Sequence, residues 1–324
     1  MRNLKQVRLI GMLVLSLMFS VVSLALAADF PSRPINIVVP YSAGGGTDLQ
    51  ARALVSVAKK YFSQPVVVVT KPGGGGAVGT AYVSKARPDG HTLLYAVPAV
   101  TVIKPFMTKT PYTFEDLTPL VRVSDSPRIL VVGKTAPWKD IESLVAYAKD
   151  HPGKIKYASA GPGTTTHIAM EGFCYAAGIK MIHVPFKGCA KATTALLGGH
   201  VSMFGSIPSE SFQYLRTGDM KALAVFTPER LPELPNVPTL REKGIDFIDS
   251  STRALFIPKN TPEDVKQLLH DGFKKTMEDP EFTALFKKLS EPVAYMAGGD
   301  FGALLKDQQV FYGEVLEKVG LKKN

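Results

Sequence analysis

The chain has 324 residues, 45% of them hydrophobic, a formal net charge of +10 and only two cysteines, Cys174 and Cys189. Its Lys and Arg are spread along the sequence with no aromatic-flanked basic run, which argues against a nucleic-acid-binding protein. A mildly basic chain suits an anionic ligand or an anionic membrane surface.

The N-terminus carries Arg2, Lys5 and Arg8, an apolar run from Leu9 to Leu26, and small residues Ala25 and Ala27 spaced for cleavage before Ala28. That pattern predicts a secretory signal peptide over residues 1–27. An uncleaved anchor is the competing reading. The Ala-Leu-Ala-Ala ending and the turn-like Pro31-Ser32-Arg33-Pro34 after it favour cleavage. Removing these residues takes away three positive charges and no negative one, so the formal charge falls from +10 to +7. No later segment is long and apolar enough to span a bilayer. The remaining length suffices for two cores.

From Pro34 onward the pattern alternates strand and helix. Ile35–Val39 is a β-branched run, followed by Pro40-Tyr41-Ser42-Ala43-Gly44-Gly45-Gly46-Thr47-Asp48 and a helix over Leu49–Tyr61. Three glycines let the backbone turn tightly and approach a small ligand, and Thr47 or Asp48 is placed to cap the helix. Free N–H groups at a helix start favour an anion without any lysine. Val66–Val69 is a fully apolar strand, as in a parallel sheet covered on both faces. After it come Lys71-Pro72, a glycine run, a helix to Ala86, the turn Pro88-Asp89-Gly90 and the strand His91–Val97. Strands separated by helices make this an α/β chain. Gly74, Gly76 and Gly79 match the spacing of the dinucleotide fingerprint, but Ala99 and its neighbours, where the ribose partner belongs about twenty positions on, carry no carboxylate, so no dinucleotide is expected.

Leu120–Val123 and Ile129–Val132 read as two strands broken by Ser124-Asp125-Ser126-Pro127, where the chain leaves the first domain. A second αβ series then begins with a helix over Asp140–Lys149 capped by Asp140 and a strand over Lys156–Ala158. Next is Ser159-Ala160-Gly161-Pro162-Gly163-Thr164-Thr165-Thr166-His167, a second glycine-spaced, hydroxyl-rich turn at a helix start. Two such turns, one per domain, can face each other across a cleft and hold one anion between two helix N-termini. Strands over Met181–Val184, Val201–Phe204 and Leu223–Phe226 follow, with helices after Cys189 and Ser209. Phe247–Ile257 returns to the first domain, and helices close the chain around Pro262–Met277, Pro280–Leu289 and Asp300–Val319.

Cys189 lies just past a strand, level with the start of the helix Thr165–Ala177, while Cys174 is about nine residues along it, ~13 Å away at ~1.5 Å per residue. That exceeds the reach of a disulfide, so two free thiols are expected, Cys174 the more buried.

Ile37-Val38-Val39-Pro40-Tyr41 with its glycines and Thr47-Asp48, Lys71-Pro72, Ala86-Arg87-Pro88-Asp89-Gly90, Ser159-Ala160-Gly161 with Gly163-Thr164 and His167, Val184-Pro185-Phe186-Lys187-Gly188, Leu197-Gly198-Gly199 and Ala222-Leu223-Ala224-Val225 follow one another along the chain. In these landmarks the chain resembles the substrate-binding proteins of tripartite tricarboxylate transporters, also called the Bordetella uptake gene family. The resemblance implies a two-lobed periplasmic binding protein of type II-like architecture, with two doubly wound sheets joined by crossover strands. Lobe 1 is then 28–127 with 250–324, and lobe 2 is 128–249. It implies a monomer that closes on a small organic carboxylate and delivers it to one large and one small membrane subunit. It further implies no catalysis, no metal and no cofactor.

On that resemblance the ligand's carboxylate is held mainly by amides, hydroxyls and waters of Tyr41, Ser42, Ala43, Gly44, Gly45, Gly46, Thr47 and Asp48, and of Ser159, Ala160, Gly161, Gly163, Thr164, Thr165 and His167. Pro98, Lys187, Gly205, Ser206 and Arg253 complete the candidate set. Many relatives carry Asp where this chain has Ser202 and Gly205, and an aromatic residue near Ser250-Ser251-Thr252-Arg253. A cleft that loses a carboxylate and gains a guanidinium disfavours amino groups and accepts a second carboxylate, which points to a di- or tricarboxylate. Arg253 as a surface or hinge residue is the competing reading. Two other functions remain open: a ligand-loaded partner of a membrane sensor kinase, and an exported enzyme using Cys189 with His167 or His183, although no G-x-S-x-G or H-E-x-x-H motif occurs.

Overall fold

A computed structural model of the protein describes residues 30–318 and 322; the expected signal peptide lies outside them. Among the described residues no helix is long and apolar enough to cross a membrane.

The first sheet contains β1 (Ile35–Val39), β2 (Val66–Thr70), β3 (Thr92–Ala96), β4 (Leu117–Pro127), β10 (Ser250–Pro258) and β11 (Val293–Ala297), in the order β11-β4-β10-β3-β1-β2. The second contains β5 (Ile129–Gly133), β6 (Lys156–Ser159), β7 (Ile182–Pro185), β8 (Met203–Ser206) and β9 (Met220–Val225), in the order β7-β6-β8-β5-β9. Both sheets are mixed. β2, β1 and β3 are mutually parallel, as are β7, β6 and β8, because a helix carries the chain back between them. β4, β10 and β11 run antiparallel to their neighbours in the first sheet, and β5 does so in the second.

The chain passes between the sheets twice, at Pro127–Ile129 and between β9 and β10. There Phe226 N–H donates to Arg128 C=O at 2.9 Å, and Asp249 N–H donates to Phe226 C=O at 3.0 Å, so the two passages are hydrogen-bonded side by side.

Eleven helices cover the sheets among the described residues: α1 (Gly46–Ala58), α2 (Ala77–Ser84), α3 (Ala99–Val102), α4 (Lys104–Met107), α5 (Ile141–Asp150), α6 (Thr165–Ala177), α7 (Cys189–Leu197), α8 (Pro208–Thr217), α9 (Glu263–Glu278), α10 (Pro280–Lys288) and α11 (Gly298–Lys318). Side-chain alternation along β5 feeds two cores: Ile129 and Val131 pack on one face, Leu130 and Val132 on the other. Each such fully buried aliphatic chain contributes roughly 1.5–3 kcal/mol.

The predicted break at Ser124–Pro127 is instead continuous strand. Ser124 and Ser126 are fully buried, their hydroxyls bonded to Gln50, and Asp125 accepts from Ser250 and Thr252 of β10. Pairing with β10 thus overrides a polar composition that reads as loop. The edge strand β11 and the short helices α3 and α4 carry no periodic signal long enough to announce them.

Candidate functional site

Both glycine-spaced turns reach one cavity between the sheets. Gly45, Gly46 and Thr47 line it from the first, and Ala160, Thr164, Thr165 and Thr166 from the second. The two helices that start there lack side-chain caps. At α1 the capping position is Gly45, while Asp48, expected as a cap, accepts from Gly44 N–H and pairs with Arg52. At α6 the Thr164 hydroxyl turns back onto Gly161 C=O at 2.7 Å. Side-chain caps are found at α5, from Asp140 as its sequence predicted, and at α10, from Asp279, whereas most other helices lack them. Uncapped first turns leave backbone donors for another acceptor.

The lobes touch across this cavity. Lys104 Nζ donates to Pro162 C=O, Gly46 N–H donates to Glu210 Oε1 at 3.0 Å, and Ser209 N–H donates to Glu291 Oε1 at 2.9 Å. The decoy glycine run is part of this contact, since a Cβ on Gly75 would lie 2.7 Å from Pro162 C=O. The cavity is about 20 Å³, room for roughly one water. Admitting a larger solute therefore requires the lobes to separate.

Two guanidiniums also line it. Arg253 is 2% exposed; its Nη1 donates to Ser251 C=O at 2.7 Å and Ser126 Oγ at 3.2 Å, and its Nε has no protein acceptor. Arg128 is fully buried, pairs with Asp249, donates Nη1 to Gly205 C=O at 3.0 Å and leaves Nη2 without a protein acceptor. Tyr41 Oη is a third such buried group. Burial pushes the Tyr41 phenol well above its ordinary range, so it stays a neutral donor. Burial likewise raises the Glu291 carboxyl, against the pull of Arg253.

Several expected residues stand off the cavity. Ala43, Gly44 and Lys187 are exposed, and Pro98 is buried beside the lining residue Val97. Ser42 and Gly161 pack at the contact between the lobes, against Gly188 and Gly75 respectively. Gly163 faces Lys104 and Met107, Ser206 bonds to Ile207 C=O, and Gly205 seats the Arg128 stem. Ser159 hydrogen-bonds His183 at 2.6 Å, and His167 stacks on His183 with ring centroids 3.9 Å apart. The His167 Nδ1 accepts from Gly163 N–H, so this imidazole shapes the turn. Neither imidazole lines the cavity with Cys189, whose thiol is raised well above its usual value by burial and then by Glu210. Both thiols are free.

Two expectations change. The expected Arg253 is not the only guanidinium beside the turns, because Arg128 lines the cavity with it. Nor does the cleft lack a carboxylate, for Glu210, 6% exposed, lines it. Arg128 hides in sequence between a strand's proline and an apolar run. Glu210 reads as an ordinary acid in a helix's first turn.

The model of the tripartite tricarboxylate transporter family receptor matches residues 50–321. The chain belongs to this family. A UPF0065 protein of Cupriavidus necator, encoded in the gbd 5' region, is 35% identical over 300 residues, covering 92% of this chain and 91% of that protein. Among solved structures, the periplasmic binding protein BugD superposes with a TM-score of 0.86 at 32% identity, covering 91% of this chain and 100% of its own. MatC from Rhodopseudomonas palustris with bound malate superposes at 0.84 and 27% identity, covering 89% and 100%. The family's receptors are solute-binding proteins of the periplasm, and this receptor has their two-lobed fold.

Proposed function

We propose that this receptor captures a small organic carboxylate between its lobes in the periplasm and delivers it to the large and small membrane subunits of a tripartite tricarboxylate-type transporter. One observation carries the reading: three buried donor groups without protein acceptors, Arg128 Nη2, Arg253 Nε and Tyr41 Oη, belong to residues lining one cavity between two uncapped helix starts. Unpaired buried donors cost roughly 1–3 kcal/mol each, a penalty that an anion accepting from them relieves. Malate bound to the related MatC is a carboxylate of the same kind.

A di- or tricarboxylate is the preferred class. One carboxylate takes the two arginines, and another takes the start of α6 beside Thr164, Thr165 and Thr166. Closure follows when one solute satisfies groups on both lobes, since it shifts the equilibrium only by its preference for the closed form. The lobes are 28–127 with 250–324 and 128–249, and they rotate about the Arg128 and Asp249 passages.

A thermal-shift screen of mono-, di- and tricarboxylates against the mature protein tests this, because a bound solute raises apparent stability by mass action. Di- or tricarboxylates should give the largest shifts, and Arg253→Ala should weaken them more than monocarboxylates. Unchanged relative affinities in that variant would remove the dicarboxylate assignment, and the absence of any shift with carboxylates would remove the carrier itself.

A further inference from the structure

We infer that Glu210 is a specificity-determining residue: it selects a carboxylate that also bears a hydrogen-bond donor, a hydroxyl or an ammonium, on the carbon facing α1. This rests on the carboxylate reading above. The Gly46 N–H at the uncapped start of α1 is the donor a solute carboxylate would be expected to take, yet it is bonded to Glu210 Oε1 from the opposite lobe in a buried 3.0 Å hydrogen bond. The protein's own carboxylate therefore holds that end of the cleft.

Charges around the cavity sharpen the point. Arg128 has Asp249 as its counter-ion, and the charge of Arg253 acts on Glu291. Glu210 has no ion-pair partner among the described residues; it accepts from a backbone amide, and burial and then its charge raise the neighbouring Cys189 thiol. A carboxylate accepts about four hydrogen bonds, so acceptor capacity remains on Glu210. A second carboxylate brought against it would meet like charge in a poorly solvated space, whereas a hydroxyl or ammonium would be bound. Repulsion of the wrong group is as much a source of selectivity as attraction of the right one. The α6 end carries hydroxyls and amides without such an acid, so the two ends of the cleft differ in chemistry.

Glu210 also helps hold the lobes together, as does Glu291 on Ser209 N–H. A latch alone would affect all solutes equally, which separates it from selection. Two matched series supply the probes: propionate, lactate and alanine, and succinate, malate and aspartate. Each is measured by calorimetry on the wild-type mature protein and on Glu210→Gln and Glu210→Asp. In Glu210→Gln the side-chain carbonyl still accepts from Gly46 N–H, but an NH₂ group replaces the charged acceptor. Glu210→Asp keeps the charge and guards against a misfolded Gln variant.

The wild type should bind the hydroxy or amino member of a series at least tenfold tighter than the unsubstituted one. The relative strength of the hydroxy and amino members identifies the donor. Glu210→Gln should abolish the preference, with the amino member losing most, and Glu210→Asp should retain it. A ranking unchanged in Glu210→Gln, or an unsubstituted acid bound as tightly as its hydroxy partner by the wild type, would overturn the inference. Failure of the wild type to bind any member would overturn it together with the carboxylate reading, and is distinguishable because no heat or thermal shift appears at all.

Discussion

Arg128 and Asp249 form an ion pair between the two passages that join the sheets, one residue after β4 and one residue before β10. Arg128 is fully buried and Asp249 retains 15% of its side-chain exposure. The pair bridges the two passages that join the sheets, and the Arg128 guanidinium also lines the cavity, so the counter-ion orients a candidate ligand group. Asp249→Asn keeps the shape but leaves the guanidinium without its countercharge. Breaking a buried pair costs about 3–5 kcal/mol, and the partial exposure of Asp249 puts the expected loss near ~3 kcal/mol. Urea unfolding measures it. A loss below ~1 kcal/mol would mean that the backbone bonds through Phe226 hold the passages without the pair.

The paired imidazoles give the chain an acid-sensitive turn. Burial lowers the His167 pKa to about 3, helped by His183 and Lys104, and lowers that of His183 to about 4. Both folded values lie below the unfolded one near ~6.5. The folded state therefore disfavours protonation, and stability is lost progressively as pH falls from ~6.5 toward 4. Glu171, 3.8 Å from His167 and partly exposed, offsets little of this. His167→Gln should flatten the decline in unfolding free energy between pH 6.5 and 4.5. An equally steep decline in the variant would assign the acid sensitivity elsewhere.

Local chemistry made much of this fold readable. The helix Thr165–Ala177 begins at its threonine-rich turn as expected and spans the expected residues, and Asp140 caps α5 as its position requires. The two turns were legible because glycines between an apolar strand and a helical period have few other uses. What stayed hidden depends on partners distant in sequence. Ser124–Pro127 becomes strand only because β10 returns beside it. Arg128 finds Asp249 only far along the chain, and Glu210 and Lys104 find their partners only where the lobes meet, since nothing in a neighbouring residue distinguishes a buried charge from a solvated one. Gly45 shows the same limit. Its φ is −82°, so the left-handed backbone of that turn belongs to Gly44, at +80°.

The two cysteines should behave as unreactive free thiols. Burial raises Cys174 and Cys189 alike, so little thiolate exists near neutrality. In denaturant two equivalents should react with Ellman's reagent, against almost none in the native protein at pH 8. A native equivalent that reacts at once and disappears on adding a carboxylate would show that Cys189 is uncovered by lobe opening.

Gly75 and Gly74 offer a controlled test of closure. Both have positive φ, +62° and +57°, so Ala at either incurs a similar backbone strain of about 1 kcal/mol. Their surroundings differ. A Cβ on Gly75 would lie 2.7 Å from Pro162 C=O, across the contact between the lobes, and 2.8 Å from Nζ of Lys104, which spans that contact from the same side as Gly75. A Cβ on Gly74 would meet only Ala77 of its own turn, at 3.3 Å. A backbone carbonyl cannot step aside as a flexible side chain can. Gly75→Ala should therefore hold the lobes apart and lose at least tenfold in carboxylate affinity, with a larger radius of gyration in solution scattering. Gly74→Ala should lose similar stability while closing and binding normally. Equal affinity in the two variants would mean that the glycine run takes no part in closure, leaving the contact of Gly46 with Glu210 as the closing surface.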